Sequence, residues 1–308
     1  MLTPSGETSG WETRPLGTMS PSVLHMQGTR AILMLREFGV PLPASNRLEI
    51  AVELLSRVHK SGLIPSVSTP ELNAKILAAM RAVHEAVTVL EARRSLSIQG
   101  HPFTQSRLQL LVEGPLETKP GTFDDAANRR FETVIASLMA LGGIGVSAGE
   151  PDWRIRYFDE QLGVAVKRLN ATTTMAAAKL IRKGAHQIRH QGMRGIVVLN
   201  VEHLINELPG NLSAAEYGEC FNAKLVELHE YMDTMVRYPA VIAVLLTGIV
   251  GRWAFGADGS LDLHWSHPFQ LVGFSDIEPA ERFDQYFSQQ FAPRYRNALK
   301  RVAAIVGP

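Results

Sequence analysis

Gly149-Glu150-Pro151-Asp152 and Gly163-Val164-Ala165-Val166-Lys167-Arg168 are the two segments that most strongly indicate the fold of this chain. Asp152 opens one strand-like segment and Lys167 lies within the next, so a hairpin would bring a carboxylate and an amine together at one edge. Such a pair suits a divalent cation and a phosphate. Residues two apart in a strand share a face, so a carboxylate at position 165 would lie beside Lys167 and opposite Asp152. The sequence has Ala165 there instead.

The segments around this pair alternate as in an α/β domain. A helix is predicted from Ala126 to about Met139, ending at Gly142-Gly143. The other predicted elements are strands over Ile144–Ser147, Trp153–Phe158 and Val164–Leu169, a helix over Thr172–His190, a buried strand over Gly195–Asn200, a helix over Ser213–Arg237, a strand over Val241–Leu246, one or two strands over Leu261–Phe274 and a closing helix over Pro279–Val306. This order predicts an α/β domain with a mixed sheet over residues 124–308.

The chain before this domain predicts an all-helical unit over residues 21–98. Apolar residues recur at helical spacing from Ser22 to Phe38, and a second helix starts from a cap at Ser45 or Asn46. A third and longer helix opens at Pro70. Residues 1–20 are rich in Gly, Ser, Thr and Pro and are predicted to be flexible, and residues 99–123 are predicted to be a linker.

Bulk composition narrows the functional classes. The net charge of +1 means that any nucleic-acid footprint must be local. A single cysteine, Cys220, excludes an intrachain disulfide and a cysteine-cluster metal site. Neither a signal peptide nor a run of eighteen apolar residues is present, so a soluble, cytoplasmic protein without a membrane partner is predicted.

A local basic surface is predicted between Gln161 and Val201, a window without any Asp or Glu. Its cationic residues are Lys167, Arg168, Lys179, Arg182, Lys183, Arg189 and Arg194, joined by His186 and His190. Such a surface suits a phosphate backbone. The alternative is a solvated helix face whose charge partners lie elsewhere in the fold.

Residues 124–205 resemble the PD-(D/E)xK nuclease superfamily, which has the restriction-endonuclease-like fold. Its members have a helix bearing a glutamate, a strand pair carrying Pro-Asp and then Glu-x-Lys, a helix often bearing a glutamine, and a buried strand. The matching positions here are Glu132, Pro151-Asp152, Lys167, Gln187 and the strand Gly195–Leu199. The acid of the acid-x-Lys motif is replaced by Ala165.

This resemblance implies a site as well as a fold. It implies Asp152, Lys167, Glu132 and Gln187 as catalytic residues, and Mg²⁺ or Mn²⁺ held by Asp152, Glu132 and Glu150. It also implies that nucleic acid, expected to be DNA, contacts Arg168, Lys179, Arg182, Lys183 and Arg189. Each position also has a plainer interpretation: Asp152 as a turn residue, Lys167 reaching solvent along the sheet edge, and Glu132 and Gln187 as helix surface.

Two functions follow from the resemblance. The first is a metal-dependent DNA endonuclease that hydrolyses phosphodiester bonds, for instance in bacterial defence, with Glu132 or Glu150 replacing the acid missing at Ala165. The second is a catalytically degenerate nuclease-fold protein that acts as a nucleic-acid-binding or scaffold subunit. A third reading needs no nucleic acid and makes the chain a protein-interaction or small-molecule-binding protein. The helical unit could serve a homodimer or a protein partner.

Overall fold

The computed structural model describes residues 17–18, 21–61, 70–95, 103–117, 124–206, 223, 227–228, 239–248, 250–255, 261–266, 269–273 and 278–306. In chain order the elements are β1 (Gly17–Thr18), α1 (Pro21–Glu37), α2 (Arg47–Ser61), α3 (Pro70–Ser95), α4 (Gln105–Gln109), α5 (Asp125–Leu141), β2 (Val146–Ala148), β3 (Trp153–Tyr157), β4 (Glu160–Arg168), α6 (Thr174–His190), β5 (Gly195–Asn200), α7 (Glu202–Asn206), β6 (Val241–Thr247), β7 (Val250–Phe255), β8 (Leu261–Ser266), β9 (Phe269–Gly273), α8 (Ala280–Phe283), a π-helix (Asp284–Phe291) and α9 (Ala292–Val306).

The chain divides into two compact units. The α/β unit comprises Met1–Arg14, Gly142–Val250 and His267–Arg296, and the helical unit comprises Pro15–Leu141, Gly251–Ser266 and Asn297–Pro308. This division places α5 in the helical unit, whereas the sequence-based boundary at residue 124 places it with the sheet.

The α/β unit is built on a six-stranded mixed sheet with the order β2-β3-β4-β5-β6-β9. Strands β2, β3 and β4 form an antiparallel meander, β5 and β6 continue parallel to β4, and β9 closes the sheet antiparallel to β6. Every residue of β5 and β6 is buried, as expected for strands covered on both faces. The predicted α/β architecture with a mixed sheet and a preceding helical region is therefore confirmed.

Helix α6 connects the parallel strands β4 and β5 and covers one face of the sheet. Thr173 caps its first turn, where the side-chain hydroxyl accepts a hydrogen bond from the Ala176 amide at 3.3 Å. The buried side of the helix is lined by small and aliphatic residues at helical spacing: Ala177, Ala178, Ile181, Gly184, Ala185 and Ile188. Small residues on this side let the helix approach the strands closely.

Helix α3 forms the centre of the helical unit. Its residues 82–92 are buried without interruption, so every side of the helix is covered over three turns. Helices α1, α2 and α5 pack around it. Asn46 rather than Ser45 caps α2, because its Oδ1 accepts the amides of Leu48 and Glu49, both at 3.1 Å.

Part of the predicted linker is packed structure. Residues 103–117 contain the short helix α4, and five apolar side chains of this segment are buried: Phe103, Leu108, Leu110, Leu111 and Val112. This part of the predicted linker therefore contributes to the core of the helical unit.

The C-terminal third departs from the predicted pattern at β7, a strand that the sequence pattern does not indicate, and in the closing helix. The region Leu261–Phe274, predicted as one or two strands, contains two: β9 joins the main sheet and β8 joins a separate three-stranded sheet, β1-β8-β7. The closing helix contains the π-helical stretch Asp284–Phe291. The predicted helix Ser213–Arg237 and the predicted flexible N-terminus lie mostly outside the described residues. Among the helices that are described, none has the length and apolar character needed to cross a membrane.

We expect His84 to make the stability of the helical unit depend on pH. Burial lowers the pKa of His84 to about 4, against a weaker opposing effect of Glu85. The unfolded chain binds a proton at His84 more readily than the folded chain does. The contribution of His84 to the free energy of unfolding is therefore complete above the ordinary histidine pKa of about 6.5 and is lost as pH falls towards 4. Urea unfolding of the full chain should therefore show about 3 kcal/mol less stability at pH 4 than at pH 7 from this residue.

The variant His84→Gln, which does not titrate in this range, isolates the effect. Its free energy of unfolding should fall less between pH 7 and pH 4 than that of the parent chain. Equal losses in the two proteins would show that His84 does not drive the dependence.

Candidate functional site

The structure brings Asp152 and Lys167 into direct contact in the α/β unit. Asp152 immediately precedes β3 and Lys167 lies near the end of β4, its antiparallel neighbour. The carboxylate Oδ2 of Asp152 accepts a hydrogen bond from the Val166 amide at 2.7 Å and one from Lys167 Nζ at 3.1 Å. The two side chains are only 12% and 11% exposed, so the ion pair is largely withdrawn from water.

The environment of this pair limits the charge it can offer to a ligand. Burial raises the pKa of Asp152, while the Lys167 charge and the Val166 amide oppose that rise and Glu150 adds to it. The Lys167 ammonium also donates to the Val166 carbonyl at 2.8 Å. Asp152 and Lys167 thus hydrogen-bond to each other and to the backbone of β4 at Val166.

Position 165 faces the packed layer between the sheet and α6. Ala165 is fully buried in the cluster that includes Ile181 and Val197. A Cβ placed on Gly184 of α6 would lie 3.3 Å from the Ala165 Cβ and 3.0 Å from a Val197 methyl, so the helix backbone lies close against this part of the sheet. A carboxylate at position 165 would enter an apolar, filled layer.

The other predicted metal ligands, Glu132 and Glu150, have different surroundings. Glu132 belongs to the helical unit, where its carboxylate pairs with Arg107 Nη1 at 3.2 Å. Glu150 is exposed and lies close enough to influence Asp152. Within the described residues no group of three or more His, Cys, Asp or Glu side chains is placed to hold a metal ion. Asp152 and Glu150 are the predicted metal ligands that lie near each other within the α/β unit.

The solvent side of α6 carries a cationic stripe. Its exposed side chains include Lys179, Arg182, Lys183, His186, Arg189 and His190. Spacings of three and four residues place most of them on one side of a helix about 25 Å long. Met175 extends the stripe towards the N-terminus and is 53% exposed. We call this set the α6 basic face.

Two predicted contact residues lie apart from the α6 basic face. Arg168 follows Lys167 in β4 and so points to the opposite side of the sheet, where its Nη1 donates to Asn170 Oδ1 at 3.2 Å. Gln187 is half-buried at the edge of α6, and its buried Oε1 accepts no hydrogen bond within the described part of the chain.

An ion-pair network in the α/β unit escaped the sequence analysis. The buried carboxylate of Glu278 accepts a hydrogen bond from Tyr157 Oη at 2.6 Å and pairs with Arg194 and Arg282. Both arginines also pair with Glu160, at 3.3 and 3.2 Å. Arg194, counted above among the cations of the acid-free window, is therefore neutralised by distant acids. No local sequence pattern could reveal this network, since its members Tyr157 and Glu278 lie 121 residues apart along the chain.

Comparisons of the chain with protein-family models, with curated proteins and with solved structures gave no match.

We expect Ala165→Glu to destabilise the protein by about 3 kcal/mol or more, because it forces a carboxylate into a filled layer next to Asp152. Urea unfolding monitored by circular dichroism would measure the loss. Met175→Glu is the matched control: it adds the same carboxylate to the exposed side of α6 and should change stability by only about 0.5 kcal/mol. Parent-like stability of Ala165→Glu would mean that this side chain reaches solvent, contrary to the packing described.

Proposed function

We propose that this chain binds nucleic acid, DNA in the first instance, through the α6 basic face and that its nuclease-like α/β unit does not cleave what it binds. The observation that carries this proposal is the exposure of four Lys or Arg side chains and two histidines on a helix that contains no acidic residue. Neutralising backbone phosphates releases condensed counterions, and this release supplies most of sequence-independent binding.

The distribution of charge supports a local interface. The whole chain has a net charge of +1, so attraction to a polyanion must come from a segregated surface. Lys167 and Arg194, also in the acid-free window, are paired with Asp152 and with Glu160 and Glu278 respectively. Glu227 meets α6 at its first turn, where it accepts a hydrogen bond from Thr174. The cationic residues of the α6 basic face lie beyond that turn.

Packing at position 165 supports binding without cleavage. Mg²⁺ is held by oxygen ligands with near-octahedral geometry, commonly one or two carboxylates with water and phosphate oxygens. Asp152 supplies one carboxylate, and that group is already bonded to Lys167 and to the Val166 amide. The acid-x-Lys motif has an acid where this chain has Ala165, and Ala165 packs against α6. Position 165 therefore supplies no carboxylate to a metal.

Charge reversal of the α6 basic face tests the binding. In fluorescence anisotropy with a labelled DNA duplex between 50 and 200 mM salt, the parent chain should bind with a steep salt dependence. The triple variant Lys179→Glu, Arg182→Glu, Lys183→Glu should bind at least about tenfold more weakly. The slope of log affinity against log salt should flatten by about three.

A matched triple reversal on the helical unit controls for net charge. Arg36→Glu, Arg57→Glu and Lys60→Glu alter exposed residues of α1 and α2 and change the charge by the same amount. This variant should bind DNA as the parent does. Equal losses in the two triple variants, or no salt-sensitive binding by the parent chain, would contradict the proposal.

Metal-dependent DNA cleavage is the second candidate, and the direct contact between Asp152 and Lys167 favours it. In that case Mg²⁺ or Mn²⁺ would neutralise phosphate charge when bound, with Asp152 and Glu150 as its nearest carboxylates and Glu132 as the further acid implied by the resemblance. Lys167 would then hold the phosphate or the attacking water.

Incubation of supercoiled DNA with the protein and Mg²⁺ or Mn²⁺ separates the two candidates. We expect no nicking by the parent chain under conditions where anisotropy shows binding. Metal-dependent nicking that disappears in both Asp152→Asn and Lys167→Met would establish the endonuclease instead. Circular dichroism of each variant would confirm that the comparison is made between folded proteins.

A further inference from the structure

Three buried charged side chains meet inside the helical unit, one from each of three helices. Glu85 of α3 accepts hydrogen bonds on the same oxygen, Oε2, from Arg47 Nη2 of α2 at 2.8 Å and from Arg130 Nε of α5 at 3.1 Å. The exposed fractions of the Arg47 and Arg130 side chains are 2% and 4%. We call this set the Arg47–Glu85–Arg130 triad.

The triad contains two cations and one anion. Arg130 Nη1 donates to two backbone carbonyls, to Leu110 O at 3.1 Å and to Glu113 O at 3.0 Å. Carbonyl oxygens satisfy hydrogen bonds but carry no formal charge, so one positive charge of the triad is left over. Burying a charge without a counter-ion is costly.

Arg47 is the member of the triad with unsatisfied hydrogen-bond donors. Its Nε and Nη1 are buried and have no hydrogen-bond partner in the part of the chain that the structure describes. Burial lowers the pKa of Arg47 to about 10, Glu85 opposes this, and Arg130 and Arg81 add to the lowering. The guanidinium therefore stays charged at neutral pH, with further cationic groups nearby.

The position of Arg47 in α2 also favours a negative charge. It is the first residue of a fifteen-residue helix, whose N-terminal end carries the positive pole of the helix dipole. A cation is disfavoured there and an anion is favoured. The amides of Leu48 and Glu49 already bond to Asn46, so an anion would take its hydrogen bonds from the guanidinium.

We propose that the helical unit holds one small inorganic anion, of the size and charge of chloride, against the buried guanidinium of Arg47. One negative charge balances the excess of the triad, and an anion accepts hydrogen bonds from donors that the protein leaves unused. A buried water could accept the same bonds but could not neutralise the charge. This site is independent of nucleic-acid binding by α6.

Thermal unfolding of the full chain in chloride and in gluconate at equal ionic strength tests the proposal, because gluconate is too bulky for a buried site. Chloride should raise the Tm, by roughly 2 °C for each tenfold increase above its dissociation constant. Equal Tm values in the two salts over the whole concentration range would overturn the proposal.

Two substitutions in α2 assign the effect to a residue. Arg47→Gln removes the excess charge and should abolish the difference between chloride and gluconate. Arg57→Gln removes an exposed arginine, 72% accessible, from the same helix and should keep the difference. Loss of the difference in Arg57→Gln, or its persistence in a folded Arg47→Gln protein, would refute the assignment to Arg47.

A measurement on the unaltered protein covers the case in which Arg47→Gln does not fold. Crystals grown or soaked in bromide should give an anomalous difference peak within about 3.5 Å of the Arg47 guanidinium. The absence of such a peak, with a non-anomalous water at that position, would show that water satisfies these donors and would overturn the proposal.

Discussion

The close packing of α6 on strands β4 and β5 is the constraint on which the rest of the α/β unit depends. Gly184 brings the helix backbone against Ala165 and Val197, and the small buried residues of α6 allow this approach along the helix. The same packing turns the cationic residues of α6 outward and fills the position beside Lys167. One contact thus turns the basic face outward and packs position 165 against α6.

The Asp152–Lys167 pair has a structural role whatever ligand the unit binds. A lysine inside a sheet needs a partner, and Asp152 provides one while also accepting the Val166 amide beyond the paired residues of β3. At the other end of the hairpin, Arg194 and Arg282 pair with Glu160 and Glu278. The ends of the β3–β4 hairpin are therefore held by ion pairs, while the middle is held by apolar packing.

The helical unit uses buried polar groups in a different way. Helix α3 is covered on all sides over residues 82–92, so His84, Glu85, Thr88 and Glu91 are buried along with its apolar side chains. Arg130 ties α5 to α3 and to the 110–113 segment, where it donates to the carbonyls of Leu110 and Glu113. Such networks favour one arrangement of helices, because an alternative packing would leave buried charges without partners.

The sequence by itself determined the order and type of the elements that carry the main sheet. Period-two and fully apolar runs mark β3, β4, β5 and β6, and the helical spacing of small residues marks α6. It also placed Asp152 and Lys167 on neighbouring strands, since a hairpin follows from two strand-like segments with a short turn between them. These features depend on local periodicity, which the sequence displays directly.

Only the tertiary structure decided the surroundings of each side chain. Ala165 and Lys167 share a face of β4, but whether that face opens to solvent or packs on α6 depends on the approach of Gly184. The pairing of Arg194 with Glu278, the assignment of α5 to the helical unit and the burial of Arg47 with Glu85 likewise join residues far apart in the chain. Charge neutralisation and close packing depend on distances in space, and spacing along the sequence does not fix those distances.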